Sequence, residues 1–343
     1  MLNFPAGGAR PVSLGPFAGQ ERFANRNPMS YALPAVLLVA SIVAHSTAEN
    51  GQIAFTAAGS SSVDQQIFVA ASDGTNRRQL TFLGQSAFPS WSRDGRRIVF
   101  SSNRTGRMEI AVMNSDGSAQ TMIRTSAPGE KVVPQLSPDG SLIAFAAVDP
   151  AIGHPEIWIM SVAGENPRRL TVTPKATSGP TWSLFPRFSP DARQLLYAST
   201  LSGSSQIWIM DVDGTHQRQL TFGLGPEFPD ANAPNWSPNG DHIVFWSGFE
   251  TEHGEVWSAD PDGNNPRQLT NQPGTISSDN PVWSPDGRSI LFDTNRAGRA
   301  EIWIMDERGS NQRRLLAIDL PNTQFSWQPV YPSRSGRQRA VRP

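Results

Sequence analysis

A five-residue turn recurs along this chain, and a repeat of fixed period constrains a fold more than any local propensity does. Its copies are Trp91-Ser92-Arg93-Asp94-Gly95, Leu136-Ser137-Pro138-Asp139-Gly140, Phe188-Ser189-Pro190-Asp191-Ala192, Trp236-Ser237-Pro238-Asn239-Gly240 and Trp283-Ser284-Pro285-Asp286-Gly287. Each leads into a short apolar strand, from Ile98-Val99-Phe100 to Ile290-Leu291-Phe292. A second apolar run follows, clearest at Glu156-Ile157-Trp158-Ile159-Met160 and Glu301-Ile302-Trp303-Ile304-Met305. Another Gly turn and a polar stretch ending in Leu-Thr close the unit, as at Leu170-Thr171, Leu220-Thr221 and Leu269-Thr270.

Each residue type has a mechanical reason for its place. In Ser-Pro-Asp-Gly, Pro presets φ, Asp caps the local backbone and Gly takes the left-handed conformation that turns the chain between two strands. The Ile-Trp-Ile-Met run lacks alternation, which predicts a strand covered on both faces. Short strands without helical periodicity, in units of about 47 residues between Glu49 and Val330, match propeller blades rather than helical solenoids. The expected fold is therefore all-β: a six-bladed β-propeller of four-stranded antiparallel blades. The first unit, beginning at Ile53-Ala54-Phe55, lacks its leading strand, while Gln324-Phe325-Ser326-Trp327-Gln328-Pro329 is a leading strand with no blade after it. Open strand edges are a liability, so this segment is predicted to pair with Ile53–Thr56, complete the first blade and close the ring.

Composition removes several classes of function. Lys and Arg number 29 against 30 Asp and Glu, a net charge of −1, so no overall field concentrates nucleic acid. Cysteine is absent, which excludes thiolate catalysis, Cys-ligated zinc and disulfides. Before the repeats, residues 1–48 read as a leader. Its apolar run 32–44 is too short to span a bilayer and fits a signal-peptide core, with Arg22 and Arg26 ahead and Ser46-Thr47-Ala48 as the cleavage site. Met29 is an alternative start that would remove the two arginines. This reading makes the protein periplasmic or secreted, with no transmembrane span. Residues 331–343, carrying Arg334, Arg337, Arg339 and Arg342, read as a disordered basic tail, leaving 49–330 as one propeller domain.

The tandem Trp-Ser-Pro-Asp-Gly unit, the Asn-Arg-x-Gly turns at Asn103–Gly106 and Asn295–Gly298, and the Arg-x-Leu-Thr endings resemble the WD40-like (PD40) repeat of TolB-type β-propellers. The resemblance covers roughly Gln52 to Val330. It implies an exported six-bladed propeller that binds a protein or peptide in the cell envelope. TolB-type proteins carry a separate α/β domain ahead of the propeller, whereas here the residues before Gln52 read as a leader.

No Gly-x-Ser-x-Gly nucleophile elbow is present, and the Ser-containing runs at Gly59 and Gly203 read as loop tips. No His pair has metal-ligand spacing. His154 and His253 are the metal candidates considered, because both sit in longer insertions with nearby carboxylates (Asp149 and Glu156; Glu250, Glu252 and Glu255) that could hold a cation. The reading nonetheless implies no metal and no cofactor. The channel mouth is the default binding place in a propeller. The segments leading into the innermost strands supply Trp182, Phe185, Asp230, Asn232, Asp279 and Asn280, an aromatic and polar mix suited to a peptide or sugar. The expected function is a non-catalytic, monomeric binding module. The alternative is a polysaccharide lyase or glycosidase using Asp230 and Asp279, and the competing structural role for these Asp and Asn residues is turn capping before Pro.

Overall fold

A computed structural model describes residues 49–59, 65–174, 181–226, 228–248, 253–318 and 324–330. The leader and basic tail lie outside these residues, as do Glu250 and Glu252. Among the described residues every regular element is a strand.

The strands form six four-stranded antiparallel sheets. Blade one contains β1 (Glu49–Ala58), β2 (Gln65–Ala70) and β3 (Arg78–Gln79). Blade two is β4 (Ser86–Trp91), β5 (Arg97–Ser102), β6 (Glu109–Asn114) and β7 (Thr121–Met122), and blade three is β8 (Glu130–Leu136), β9 (Leu142–Val148), β10 (Pro155–Ser161) and β11 (Arg168–Arg169). Blade four is β12 (Ser183–Phe188), β13 (Gln194–Ser199), β14 (Gln206–Asp211) and β15 (Arg218–Gln219). Blade five is β16 (Asn232–Trp236), β17 (Ile243–Ser247), β18 (Glu255–Ala259) and β19 (Arg267–Gln268). Blade six is β20 (Ser278–Trp283), β21 (Ser289–Thr294), β22 (Glu301–Asp306) and β23 (Arg313–Ala317). The last strand, β24 (Phe325–Val330), pairs with β1 and makes blade one whole. Its register sets Phe325 opposite Phe55 and Trp327 opposite Ile53, as the orphan leading strand predicts. The first strand of each blade touches that of the next all the way round, which closes the ring about a central channel.

The turn motif works as its chemistry requires. In blade three the Ser137 hydroxyl accepts the Leu142 N–H at 2.9 Å and donates to Asp139, whose carboxylate also accepts the Ser141 N–H. Gly140 sits at φ 74°. The same bonds recur at Ser92, Ser189, Ser237 and Ser284.

The most deeply buried strand is the second of each blade, not the Ile-Trp-Ile-Met strand. Ile98, Val99 and Phe100, and their counterparts Ile243, Val244 and Phe245, are wholly buried. Trp158, Trp208, Trp257 and Trp303 are only partly covered. The cause is the fourth strand, two residues long in five blades, which leaves the outer face of the third strand partly in water.

The Leu-Thr ending is explained by hydrogen bonding. Thr81, Thr171, Thr221 and Thr270 are buried, and each hydroxyl accepts an N–H of the third strand (Ile67, Ile157, Ile207, Val256) at 2.8–2.9 Å. Each then donates to the side chain that opens that strand: Gln66, Glu156, Gln206 or Glu255. Where this opening residue is Glu, a basic side chain sits beside it: Arg107 by Glu109, His154 by Glu156, His253 by Glu255 and Arg299 by Glu301. Blades two and six lack the buried Thr and bring a second cation instead, Lys131 to Glu109 and Arg314 to Glu301. A buried carboxylate must be compensated, and each blade does so with the groups it has.

Candidate binding site in the central channel

The five Xaa-Pro pairs Phe88-Pro89, Val133-Pro134, Phe185-Pro186, Ala233-Pro234 and Asn280-Pro281 lie inside the innermost strands rather than in loops before them. In blade two, Ala87 pairs with Ser101 and Ser90 with Val99, so two residues oppose one. The same irregularity recurs in blades three to six. This is a β-bulge, and its first residue is left-handed in each case, from φ 44° at Ala233 to 58° at Phe185. Pro fits the second position because the bulge leaves its missing N–H without a ladder partner. The extra residue reverses the in-out alternation, and so re-aims the side chain that follows toward the channel.

Those re-aimed residues form a ring of one per blade: Ser90, Gln135, Arg187, Asn235 and Val282, with Ser326 from β24. The ring divides the channel, since all six residues line a cavity on either side of it. On the side of the Ser-Pro-Asp-Gly turns is a recess of about 210 Å³, walled by Trp91, Trp236, Trp283 and Trp327 and rimmed by Pro138, Pro190, Pro238, Pro285 and Pro329. At the remaining rim position Arg93 reaches across blades and donates to the Pro190 carbonyl at 2.6 Å. Behind the ring is a cavity of about 40 Å³.

The ring is fastened through its acceptors. Gln135 Oε1 accepts the Phe188 N–H at 2.6 Å, Asn235 Oδ1 the Trp283 N–H at 3.4 Å, and Ser326 Oγ the Trp91 N–H at 3.1 Å. Because each acceptor faces a backbone donor of a neighbouring blade, the amide NH₂ groups of Gln135 and Asn235 are left toward the channel. Arg187 donates to the carbonyl of Pro186 at 3.0 Å. Burial lowers its pKa to about 10, which keeps it charged at neutral pH. Among the described residues no carboxylate lies within 4.0 Å of it.

None of the six residues expected at the channel mouth lines either cavity. They sit nearer the opposite end of the inner strands. Trp182 is buried, with its N–H on Thr200 Oγ1 at 3.0 Å, and Phe185 is the half-buried bulge residue of blade four. Asp230 is fully buried and accepts the Gly248 N–H at 2.9 Å, while buried Asn232 accepts from Ser205 Oγ at 2.8 Å. Asn280 is buried between Asp293, 3.1 Å away, and Gln324, 2.7 Å away. Asp279 is half-buried opposite Asp293 and accepts from Ser277 Oγ at 2.8 Å. Burial, then Asp293, Glu255 and Asp230, raise its pKa well above the usual carboxylate range. His154 and His253 lie 3.5 and 3.3 Å from Glu156 and Glu255, and among the described residues no three potential metal ligands converge.

The ring escaped sequence reading, although one signal was available. It is the column just before the large apolar residue that opens each turn (Trp91, Leu136, Phe188, Trp236, Trp283 and Trp327), and it is polar in five of six copies.

A family model described as the TolB beta propeller domain matches residues 46–331. The Tol-Pal system protein TolB of Francisella tularensis subsp. tularensis (strain WY96-3418) is 27% identical over 274 residues, covering 77% of this chain and 59% of that protein. The chain thus spans about three fifths of that relative's length. Among solved structures, TolB from Acinetobacter baumannii superposes with a TM-score of 0.67 at 22% identity, covering 81% of this chain and 66% of that one. Kuenenia stuttgartiensis hydrazine synthase superposes with 0.65 at 15% identity, covering 82% of this chain and 47% of that one, a likeness of fold alone. With six closed blades, the repeated turn and a family match over most of its length, this chain belongs to the TolB β-propeller family.

Proposed function

We propose that the protein is an exported, non-catalytic, monomeric binding module of the cell envelope that takes a protein or peptide into the turn-side mouth of its channel. The observation that carries this reading is the recess itself, a socket of tryptophan and proline over a ring of hydrogen-bond donors. Among the described residues neither Asp, Glu nor His lines it, so it offers no general acid or base. The polysaccharide-enzyme alternative needs two presented carboxylates, and Asp230 is buried on a backbone amide. Export rests on the leader read in the sequence, and the envelope reading draws on the Tol-Pal system named for the Francisella relative. Among the described residues no helix is long and apolar enough to cross a membrane.

The test has two parts. Affinity capture from an envelope fraction should return a protein that is lost when the recess walls are removed by Trp236→Ala together with Trp283→Ala. A polysaccharide panel should show no turnover. Turnover abolished by replacing Asp230 and Asp279 with Ala would instead establish the enzyme.

A further inference from the structure

Arg187 is the one charged member of the channel ring, and among the described residues no carboxylate lies within 4.0 Å to meet it. Its neighbours across the channel, Gln135, Asn235 and Ser326, each accept a backbone N–H of the next blade, and their NH₂ and hydroxyl donors remain to meet a guest. A cluster that presents a guanidinium, two amide NH₂ groups and a hydroxyl, with no acid beside it, is complementary to an anion. The cavity behind the ring holds about 40 Å³, room for a carboxylate or a few waters but not for a sugar ring. The tryptophan and proline walls of the recess suit an extended chain leading to that anion. Arg93 adds a second positive charge at the entrance.

Resting on the binding-module reading, we infer that the ring is a carboxylate receptor: an extended peptide enters from the turn side and delivers one carboxylate to Arg187, Gln135 and Asn235. Either an acidic side chain or a chain-terminal carboxylate carries that chemistry.

The test is calorimetric titration of the full chain with three acetylated Gly/Ser octapeptides. The first has one central Glu and an amidated end, the second has Gln in its place, and the third has Gln with a free carboxyl end. Binding of the first or third but not the second is expected, with affinity falling as salt rises. The first against the third identifies the source of the carboxylate. Arg187→Gln should weaken binding by about 10- to 100-fold, the usual worth of a charge-assisted pair. Val282→Glu, which sets an acid in the ring to occupy Arg187 from within, should abolish binding without needing Arg187 to change, and so guards against a misfolded Arg187 variant. Equal binding of the Glu and Gln peptides, no binding of any carboxylate peptide at millimolar concentration, unchanged affinity in Arg187→Gln, or preference for a hexuronate oligosaccharide overturns the inference. If Arg187→Gln still captures the envelope partner in full, the receptor assignment falls while the binding-module reading stands. If carboxylate peptides bind but no envelope protein does, the reverse holds.

Discussion

The ammonium of Lys131 lies 3.0 Å from Glu109 Oε2, joining the innermost strand of blade three to the third strand of blade two, and the lysine side chain is wholly out of solvent. Lys131 also donates to the Gly129 carbonyl at 2.8 Å. Lys131→Met therefore leaves Glu109 with only the more exposed Arg107, and should cost about 3 kcal/mol in urea denaturation. Adding Glu109→Gln should recover most of that loss, because it removes the charge that Lys131 compensated. A double-mutant cycle with additive losses would show that the pair is not coupled.

Ring closure gives a second prediction. Phe325 and Trp327 are buried in the cluster that also holds Ile53, Phe55, Leu291 and Ile302, so β24 carries part of the core between blades six and one. Trp327→Ala should cost about 3–5 kcal/mol. Ending the chain before Gln324 removes both aromatics and exposes the edge of β1. The melting transition should then broaden and drop steeply, by more than the single substitution causes. A truncated chain that melts like the parent would mean that the ring does not depend on its last strand.

The turn of blade four breaks the motif, because Ala192 occupies the left-handed position at φ 62° that Gly holds in the other four copies. A Cβ in that conformation costs about 1–2 kcal/mol. Part of any gain from Gly is returned as chain entropy. Ala192→Gly should therefore stabilise by about 0.5–1 kcal/mol, read as a higher urea midpoint with unchanged slope.

These features differ in how far the sequence reveals them. The turn and the closing strand were legible because each is local, repeated in type and tied to one mechanical need. Tyr197 illustrates a relation visible only in three dimensions. Blades two and six clamp Gln120 and Gln312 with Arg104 and Arg296, stacked over Phe100 and Phe292. Blade four has Leu201 in place of that Arg, and the Tyr197 hydroxyl reaches Gln217 itself, at 3.1 Å. The channel ring was the least legible part. Its column holds a different residue in nearly every blade, so it lacks the repetition that marked the scaffold. The bulge ahead of it also reverses the alternation from which facing is inferred. Xaa-Pro pairs ordinarily signal entry to a strand or loop, so the sequence points to Phe185 and Asn280 ahead of the innermost strands although they lie within them.

Asp279 supplies a pH-dependent prediction of unusual sign for a carboxylate. Burial and the facing Asp293 raise its pKa in the folded protein above the unfolded value of about 3.9. The native state therefore holds this proton to higher pH than the unfolded chain does. Its contribution to stability is complete below about pH 4 and is lost as pH rises through the folded value. Asp139 and Asp191 behave oppositely, since hydrogen bonds from Ser137 and Ser189 lower their pKa values and their contributions vanish as pH falls below about 4. In Asp279→Asn the side-chain carbonyl still accepts from Ser277, while the new NH₂ group can face Asp293. The variant should match the parent near pH 4 and exceed it by about 1 kcal/mol at pH 8, as seen in thermal melts between pH 3 and 9. Parallel pH profiles for the two proteins would show that Asp279 titrates as an ordinary carboxylate and that its pairing with Asp293 carries no cost.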